Sequence, residues 1–351
     1  MFVGYFGRRR LKSVLALCLG FLVLIALLYQ PKTTEPEHQS YSELSPPIQV
    51  QKTPLPPLAP RKKRPGVMSF IEFNNSPYLV FQSLPTNFVP IMVLSKAANI
   101  EVRDAIRRTW GFHRLYCNDT VRMKAFFIVG TDDFMTQRIV TEQNVFDDVI
   151  QITVPDMYSF SAYKELSAMV WVRSYLPNIP FYFKTEDDVI INTKILADQL
   201  LPVIESIANQ KLIIGWFGSE NTVQRGSYQK FVDAVMTQTN GDVQYAMSLL
   251  YAVTATGADR LIDTVSKIEH IDYPGDPFVT GILRDAAQVK MNNLAISSQN
   301  LKYELANGGC RRAFEKNRNL LLCTSSLHIG PIVSMTEYFE AWNVVIGQSQ
   351  P

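Results

Sequence analysis

A surplus of charge of either sign is what this sequence most clearly lacks. Its 34 Lys and Arg residues face 32 Asp and Glu, a formal net charge of +2 over 351 residues. Overall electrostatics therefore gives no reason to expect a nucleic-acid partner. Cysteine is scarce, with four in all: Cys18, Cys117, Cys310 and Cys323. Cys18 falls in an apolar run, and the other three allow Cys310 and Cys323 to close a short loop with Cys117 left free. The sequence does not decide that pairing. Internal repeats are absent. So is a dense His/Asp cluster of the kind that metal-dependent phosphoester hydrolysis uses.

What is present begins with an apolar run over residues 14–29 that carries no charge and follows Arg8-Arg9-Arg10-Leu11-Lys12. Its length is at the short end for a membrane-spanning helix, and the preceding positive charge orients the N-terminus to the cytosol. A cleaved signal peptide is the competing reading. The run is long for that role, and Leu27-Leu28-Tyr29-Gln30 offers no small-residue cleavage site. The expected order is a cytosolic tail (1–10), a transmembrane signal anchor (11–29), a disordered Pro-rich stem (30–77) and a lumenal domain (78–346). Pro46, Pro47, Pro54, Pro56, Pro57 and Pro60 deny the stem a helix or an internal strand. Arg61-Lys62-Lys63-Arg64 reads as a solvated basic patch or a processing site. Two sequons, at Asn74 and Asn118, would face the lumen.

With 47% hydrophobic residues the remainder is able to build a substantial core. Strands are expected at residues 89–95, 121–129 (ended by Gly130) and 149–152. Helices are expected at 102–110 and at 161–176, the latter turning Leu166, Met169, Val170 and Val172 inward. A further strand, Phe181-Tyr182-Phe183, leads into Glu186-Asp187-Asp188. Strand and helix in alternation predict an α/β fold with a mostly parallel central sheet. Acidic triplets are most often solvated turns. This one is closely flanked by apolar residues without Gly or Pro, and it stands at a strand's carboxyl end, where ligands of such sheets collect. Three carboxylates there need a partner, and a hard divalent cation shared with a phosphate-bearing substrate supplies one.

Several blocks then resemble one family in order. Arg103-Asp104-Ala105-Ile106-Arg107-Arg108-Thr109-Trp110-Gly111 is similar to the R-x-A-I-R-x-T-W-G signature of the β-1,3-galactosyltransferase family (glycosyltransferase family 31). Phe126-Phe127-Ile128-Val129-Gly130 resembles its F-hydrophobic-hydrophobic-G strand. Asp156-Met157-Tyr158 with Lys164 and Trp171 resembles its D-S-Y-x-N-L-T-x-K block and downstream Trp. Residues 182–192 parallel Y-x-x-K-x-D-D-D-x-F-x-N, and residues 273–281 parallel Y-P-x-E-D-V-F-x-x-G. The resemblance covers residues 87–342.

The resemblance implies a GT-A fold and inverting transfer of a hexose or N-acetylhexosamine, galactose first, from a UDP-sugar to a glycan hydroxyl on protein or lipid, in β-1,3 linkage. It implies a single-pass Golgi membrane enzyme using Mn²⁺ or another divalent cation, with an oligomer allowed. By the same matching, Asp188 is the first choice for metal contact, with Glu186 and the late His328 beside it. Lys184, Glu186, Asp187, Arg103 and Arg107 fall on the donor side, and Asp276 is the base that takes the acceptor's proton. Departures from the pattern are Glu186 for the usual first Asp, Gly275 for the Glu before the base, and Pro277 after it. Ser248-Leu249-Leu250-Tyr251 stands where the family has a Gly-rich stretch before Tyr, and Phe160-Ser161-Ala162 where it has Asn-Leu-Thr. Pro277 is expected to restrict Asp276. An altered substrate preference follows, or the alternative of a catalytically silent glycan-binding or chaperone-like subunit.

Overall fold

The computed structural model describes residues 66–77, 87–111, 114–116, 121–218, 222–223, 243–271, 275–297, 302–305, 309–324 and 335–347. All lie in the unit Arg61–Pro351. The signal anchor, most of the stem, Cys117, the Asn118 sequon and His328 lie outside the described residues. No described helix is long and apolar enough to cross a membrane.

The strands in chain order are β1 (Phe73–Asn75), β2 (Phe88–Leu94), β3 (Arg114–Tyr116), β4 (Val121–Thr131), β5 (Val149–Pro155), β6 (Phe181–Glu186) and β7 (Val189–Ile191). They continue as β8 (Leu212–Gly215), β9 (Thr222–Val223), β10 (Val243–Gln244), β11 (Leu250–Thr254), β12 (Lys290–Asn293), β13 (Lys302–Leu305) and β14 (Leu320–Thr324). The longer helices are α1 (Ile100–Arg108), α2 (Thr136–Phe146), α3 (Ser161–Tyr175), α4 (Ala255–Val265) and α5 (Met335–Gly347).

Among the described residues, a nine-stranded sheet runs β1-β5-β4-β2-β6-β11-β8-β12, with β3 beside β4. β2 is apolar and buried throughout, as a strand covered on both faces must be. Its alternation divides the core: Met92 and Leu94 join the cluster that includes α3 and α4, while Ile91 and Val93 join the cluster that includes α1 and α5. β4 and β6 flank β2 in parallel, Met92 opposite Phe126 on one side and Lys184 on the other. β2 is thus the point at which successive strands turn from one side of the sheet to the other, and the crevice beyond its carboxyl end is where such sheets hold ligands.

The sheet is mixed rather than mostly parallel. β2–β4, β2–β6, β4–β5 and β8–β12 are parallel, whereas β1–β5, β3–β4, β6–β11 and β8–β11 are antiparallel. Apolar patterning marks β11 as a buried strand but carries no sign of its direction, which reverses between β6 and β8. Residues 66–77, at the end of the expected stem, include a 3₁₀ turn (Val67–Phe70) and β1, which pairs with β5. β4 continues through Gly130 to Thr131 instead of ending at the glycine. Val170, expected inward, is only partly buried.

Among the described residues a smaller sheet runs β13-β14-β7, and β7 begins directly after the acid triplet. Cys310 and Cys323 are disulfide-bonded, with Cα atoms 5.6 Å apart, and join the helix Cys310–Lys316 to β14. Trp110, from the first sequence block, is buried and its indole N–H donates to Tyr338 Oη of α5 at 2.6 Å. Removing that acceptor leaves a buried donor unpaired, a cost of about 1–3 kcal/mol. Tyr338→Phe is accordingly expected to destabilise the fold by that amount in denaturant unfolding; an unchanged midpoint would mean the bond contributes nothing.

Candidate active site

The acid triplet sits where the chain passes from one sheet to the other, between the end of β6 and the start of β7. Its three side chains have different surroundings. Asp187 is buried and its Oδ2 accepts from Ser95 Oγ at 2.7 Å and Asn99 Nδ2 at 2.9 Å. Both donors follow β2, so Asp187 ties the end of β6 to the end of β2. Asp188 is half-buried, and the Glu186 side chain retains 37% exposure. Among the described residues no three His, Cys, Asp or Glu side chains converge closely enough to hold a metal ion. Asp188 and Glu186 carry hard oxygen donors of the kind a divalent cation takes, while Asp187 bonds Ser95 and Asn99.

Arg103 faces the same loop from within. Nε and Nη2 form a bidentate pair with Glu142 at 2.8 and 2.7 Å. Nη1 donates to Ser95 Oγ at 2.9 Å and to Lys96 O, and Nη2 also to Ala97 O at 3.0 Å. All five of its N–H donors are thus engaged inside the protein. Arg103 is therefore not presented to a diphosphate; it acts one step back, on the Ser95 that binds Asp187.

Arg107 is likewise turned inward. It pairs with both oxygens of Asp148 at 2.8 and 2.7 Å and with Glu142 at 2.7 Å. Its guanidinium lies over Phe146 and Phe127, 4.1 and 4.8 Å from the ring centres. Burial alone would lower its pKa, but Asp148 and Glu142 outweigh that and raise it. The two arginines and two carboxylates form a buried ion-pair core joining α1, α2 and the start of β5, not an ion pair on a helix surface. Lys164, in the third sequence block, completes the loop's supports: its ammonium donates to Ser95 O at 3.0 Å and pairs with Asp156, whose other oxygen accepts from Ala97 N–H.

Lys184 is the centre of a second charged group. It is buried near the end of β6, with Nζ 3.0 Å from Asp276 Oδ1 and 3.5 Å from Glu186 Oε1. The candidate base and a candidate metal-side carboxylate, far apart in sequence, thus share one ammonium. Burial alone would lower the Lys184 pKa; Asp276, Glu165 and Glu186 more than reverse that, and it is raised. Asp276 adopts φ −62° and ψ −48° and leads into a π-wound helix, Pro277–Leu283. The expected restriction by Pro277 thus does not displace Asp276 from helical geometry. Proline occupies the first turn of that helix, where its missing N–H needs no partner. Leu249 and Leu250 are buried in the cluster with β2 and β6, Leu250 opposite Thr185.

Sequence reasoning passed over Glu165. It lies on α3, buried, and its Oε1 accepts from Tyr251 Oη. Lys184 and Asp276 already balance one another here, so a further charge would stand uncompensated in the interior. Burial above all, opposed by Lys184 and reinforced by Asp276, pushes the Glu165 carboxyl up to about 8. The one signal available in sequence was a lone acid within an otherwise apolar helical stretch.

From about pH 4.5 to about 8 the folded chain therefore keeps a proton at Glu165 that the unfolded chain has lost. Stability from this group is complete below that window and declines as pH rises through it. The melting midpoint is expected to fall from about pH 5.5 to about pH 8.5, and Glu165→Gln to flatten the fall. An equal slope in the Gln variant would assign the titration to another group.

Comparison with known proteins follows the same residues. The profile described as Galactosyltransferase matches residues 101–295, from α1 to the end of β12 and beyond. Human beta-1,3-galactosyltransferase 2 is 31% identical over 118 residues, 32% of this chain and 28% of that protein. UDP-GalNAc:beta-1,3-N-acetylgalactosaminyltransferase 1 of Sus scrofa is 32% identical over 148 residues, 41% of this chain and 43% of that protein. The matched part thus spans less than half the length of either relative. Among solved structures, the WbbM bifunctional glycosyltransferase aligns with 76% of this chain and 50% of its own at 10% identity and a TM-score of 0.40. With its profile match covering more than half of the sequence, the chain belongs to the galactosyltransferase family.

Proposed function

We propose that this chain is an inverting, metal-dependent glycosyltransferase of GT-A type. It moves a hexose or N-acetylhexosamine, galactose first, from a UDP-sugar to a glycan hydroxyl in β-1,3 linkage. On this reading it works in the Golgi lumen behind an N-terminal signal anchor. The observation that carries the proposal is Lys184, whose ammonium lies between Asp276 and Glu186.

Asp276 accepts the acceptor hydroxyl's proton as the new glycosidic bond forms and the bond to UDP breaks, the electron pair leaving with the diphosphate. Lys184 orients that carboxylate and keeps it beside the donor end of the site. Asp188 and Glu186, with His328, would hold the divalent cation. When bound, that cation supplies Lewis-acid stabilisation of the departing diphosphate. Ser95 and Asn99, fixed on Asp187, wall the crevice next to it.

Calorimetric titration of the full chain with UDP-galactose, UDP-N-acetylgalactosamine, UDP-N-acetylglucosamine and UDP-glucose, with and without Mn²⁺, tests the donor half. Mn²⁺-dependent binding of one donor is expected, and Asp188→Ala should abolish it; absence of binding to every uridine nucleotide overturns the reading. Asp276→Asn tests the acceptor half. It should lower kcat by about 10²–10⁴-fold and leave the donor's Kd unchanged. Full turnover in that variant would remove Asp276 from the role of base.

A further inference from the structure

Gly275 and Glu165 occupy the same space by turns. A Cβ at position 275 would lie 2.5 Å from Glu165 Oε2, closer than real Cβ contacts come, and 3.4 and 3.5 Å from the backbone of Ser161 and Ala162. The backbone at 275 therefore lies against α3 at ordinary contact distance, and a side chain there would have to displace the Glu165 carboxyl. Gly275 N–H donates to Ser161 Oγ at 2.9 Å. Ser161 and Glu165 are four residues apart on α3 and so lie on one face. Glu165 Oε2 has no hydrogen-bond partner among the described residues and is aimed at this contact. Its other oxygen holds Tyr251, whose ring centre is 5.3 Å from Lys184 Nζ.

We infer that Glu165 is a positioning residue for the transfer reaction: from α3, with Ser161, Tyr251 and Lys184, it forms the socket that sets the height and direction of Asp276, and residue 275 is glycine because Glu165 fills the space. The inference rests on the transferase reading above and deepens it. It also joins residues that look independent in sequence. Ser161, Gly275 and the tyrosine after Ser248-Leu249-Leu250 meet around one carboxyl group, so they form one coupled arrangement that keeps Asp276 beside Lys184. The high pKa of Glu165 agrees with a carboxyl that acts in its neutral form, as a shape and a hydrogen-bonding group.

The test uses Glu165→Ala, Glu165→Gln, Gly275→Glu and the double variant Glu165→Ala/Gly275→Glu in the full chain, comparing melting midpoints with kcat and KM. Gly275→Glu should lower the midpoint by about 5 °C or more, and adding Glu165→Ala should recover more than half of that loss. Glu165→Ala should reduce kcat by about tenfold with the donor's KM unchanged, the pattern of a misplaced base, and Glu165→Gln should recover most of the lost rate. If the double variant melts no higher than Gly275→Glu, the two positions are not matched. If Glu165→Ala keeps full kcat, Glu165 has no positioning role. A parent chain that binds and transfers no sugar sinks the transferase reading, while the melting comparison still decides the pairing of Glu165 with Gly275.

Discussion

A buried ammonium has to be answered by carboxylates at hydrogen-bonding distance, and Lys184 imposes that demand on the centre of this fold. It is planted on β6, whose backbone is fixed on one side by β2 and on the other by β11. The carboxylates that answer it come from the same strand and from the turn at 275–276. The separation between the two ends of the site is therefore a by-product of charge balance. Moving Asp276 away would leave a buried cation with only the more distant Glu186, which costs on the order of a few kcal/mol.

A second charged core does comparable work at one remove. Arg103, Arg107, Glu142 and Asp148 pair with one another away from water. Such clusters contribute little net stability over an apolar core of the same volume, but each member fixes the geometry of the others. What is fixed here is the chain after β2: Arg103 holds Ser95, and Ser95 holds Asp187. The most prominent arginines of the first block thus act at one remove, and the side chains that bond Asp187 itself are the small polar Ser95 and Asn99.

This division explains what could be read from sequence. The strands β2, β4 and β6 and the helix α3 announce themselves through apolar runs and spacing, and the acid triplet stands out because it interrupts such a run. Sequence marks Lys184, Asp276 and the arginines as chemically able groups but does not say which way they face. Arg103 and Arg107 turned inward because Glu142 and Asp148 await them, and those acids lie in stretches with no distinguishing pattern. Glu165 escaped notice for the opposite reason. A single acid in a helix reads as solvent-facing, and only the packing of α3 under β11 and Gly275 reveals that this one is interior. The direction of β11 was equally hidden, since alternation is the same in either sense.

Among the described residues the short strand β7 pairs only with β14, Ile190 opposite Cys323. The last acid of the triplet is thus followed at once by a strand whose partner arrives from the far end of the chain. During synthesis the residues of β7 emerge long before that partner exists, and a contact so distant in sequence forms late. The turn that carries the triplet is accordingly among the final pieces of the molecule to be completed, and the bond between Cys310 and Cys323 ties its partner strand to the helix Cys310–Lys316. Chemical competence would then be tied to oxidation of the C-terminal segment, so that a nascent or truncated chain carries every acid of the site and still lacks the framework that makes them one.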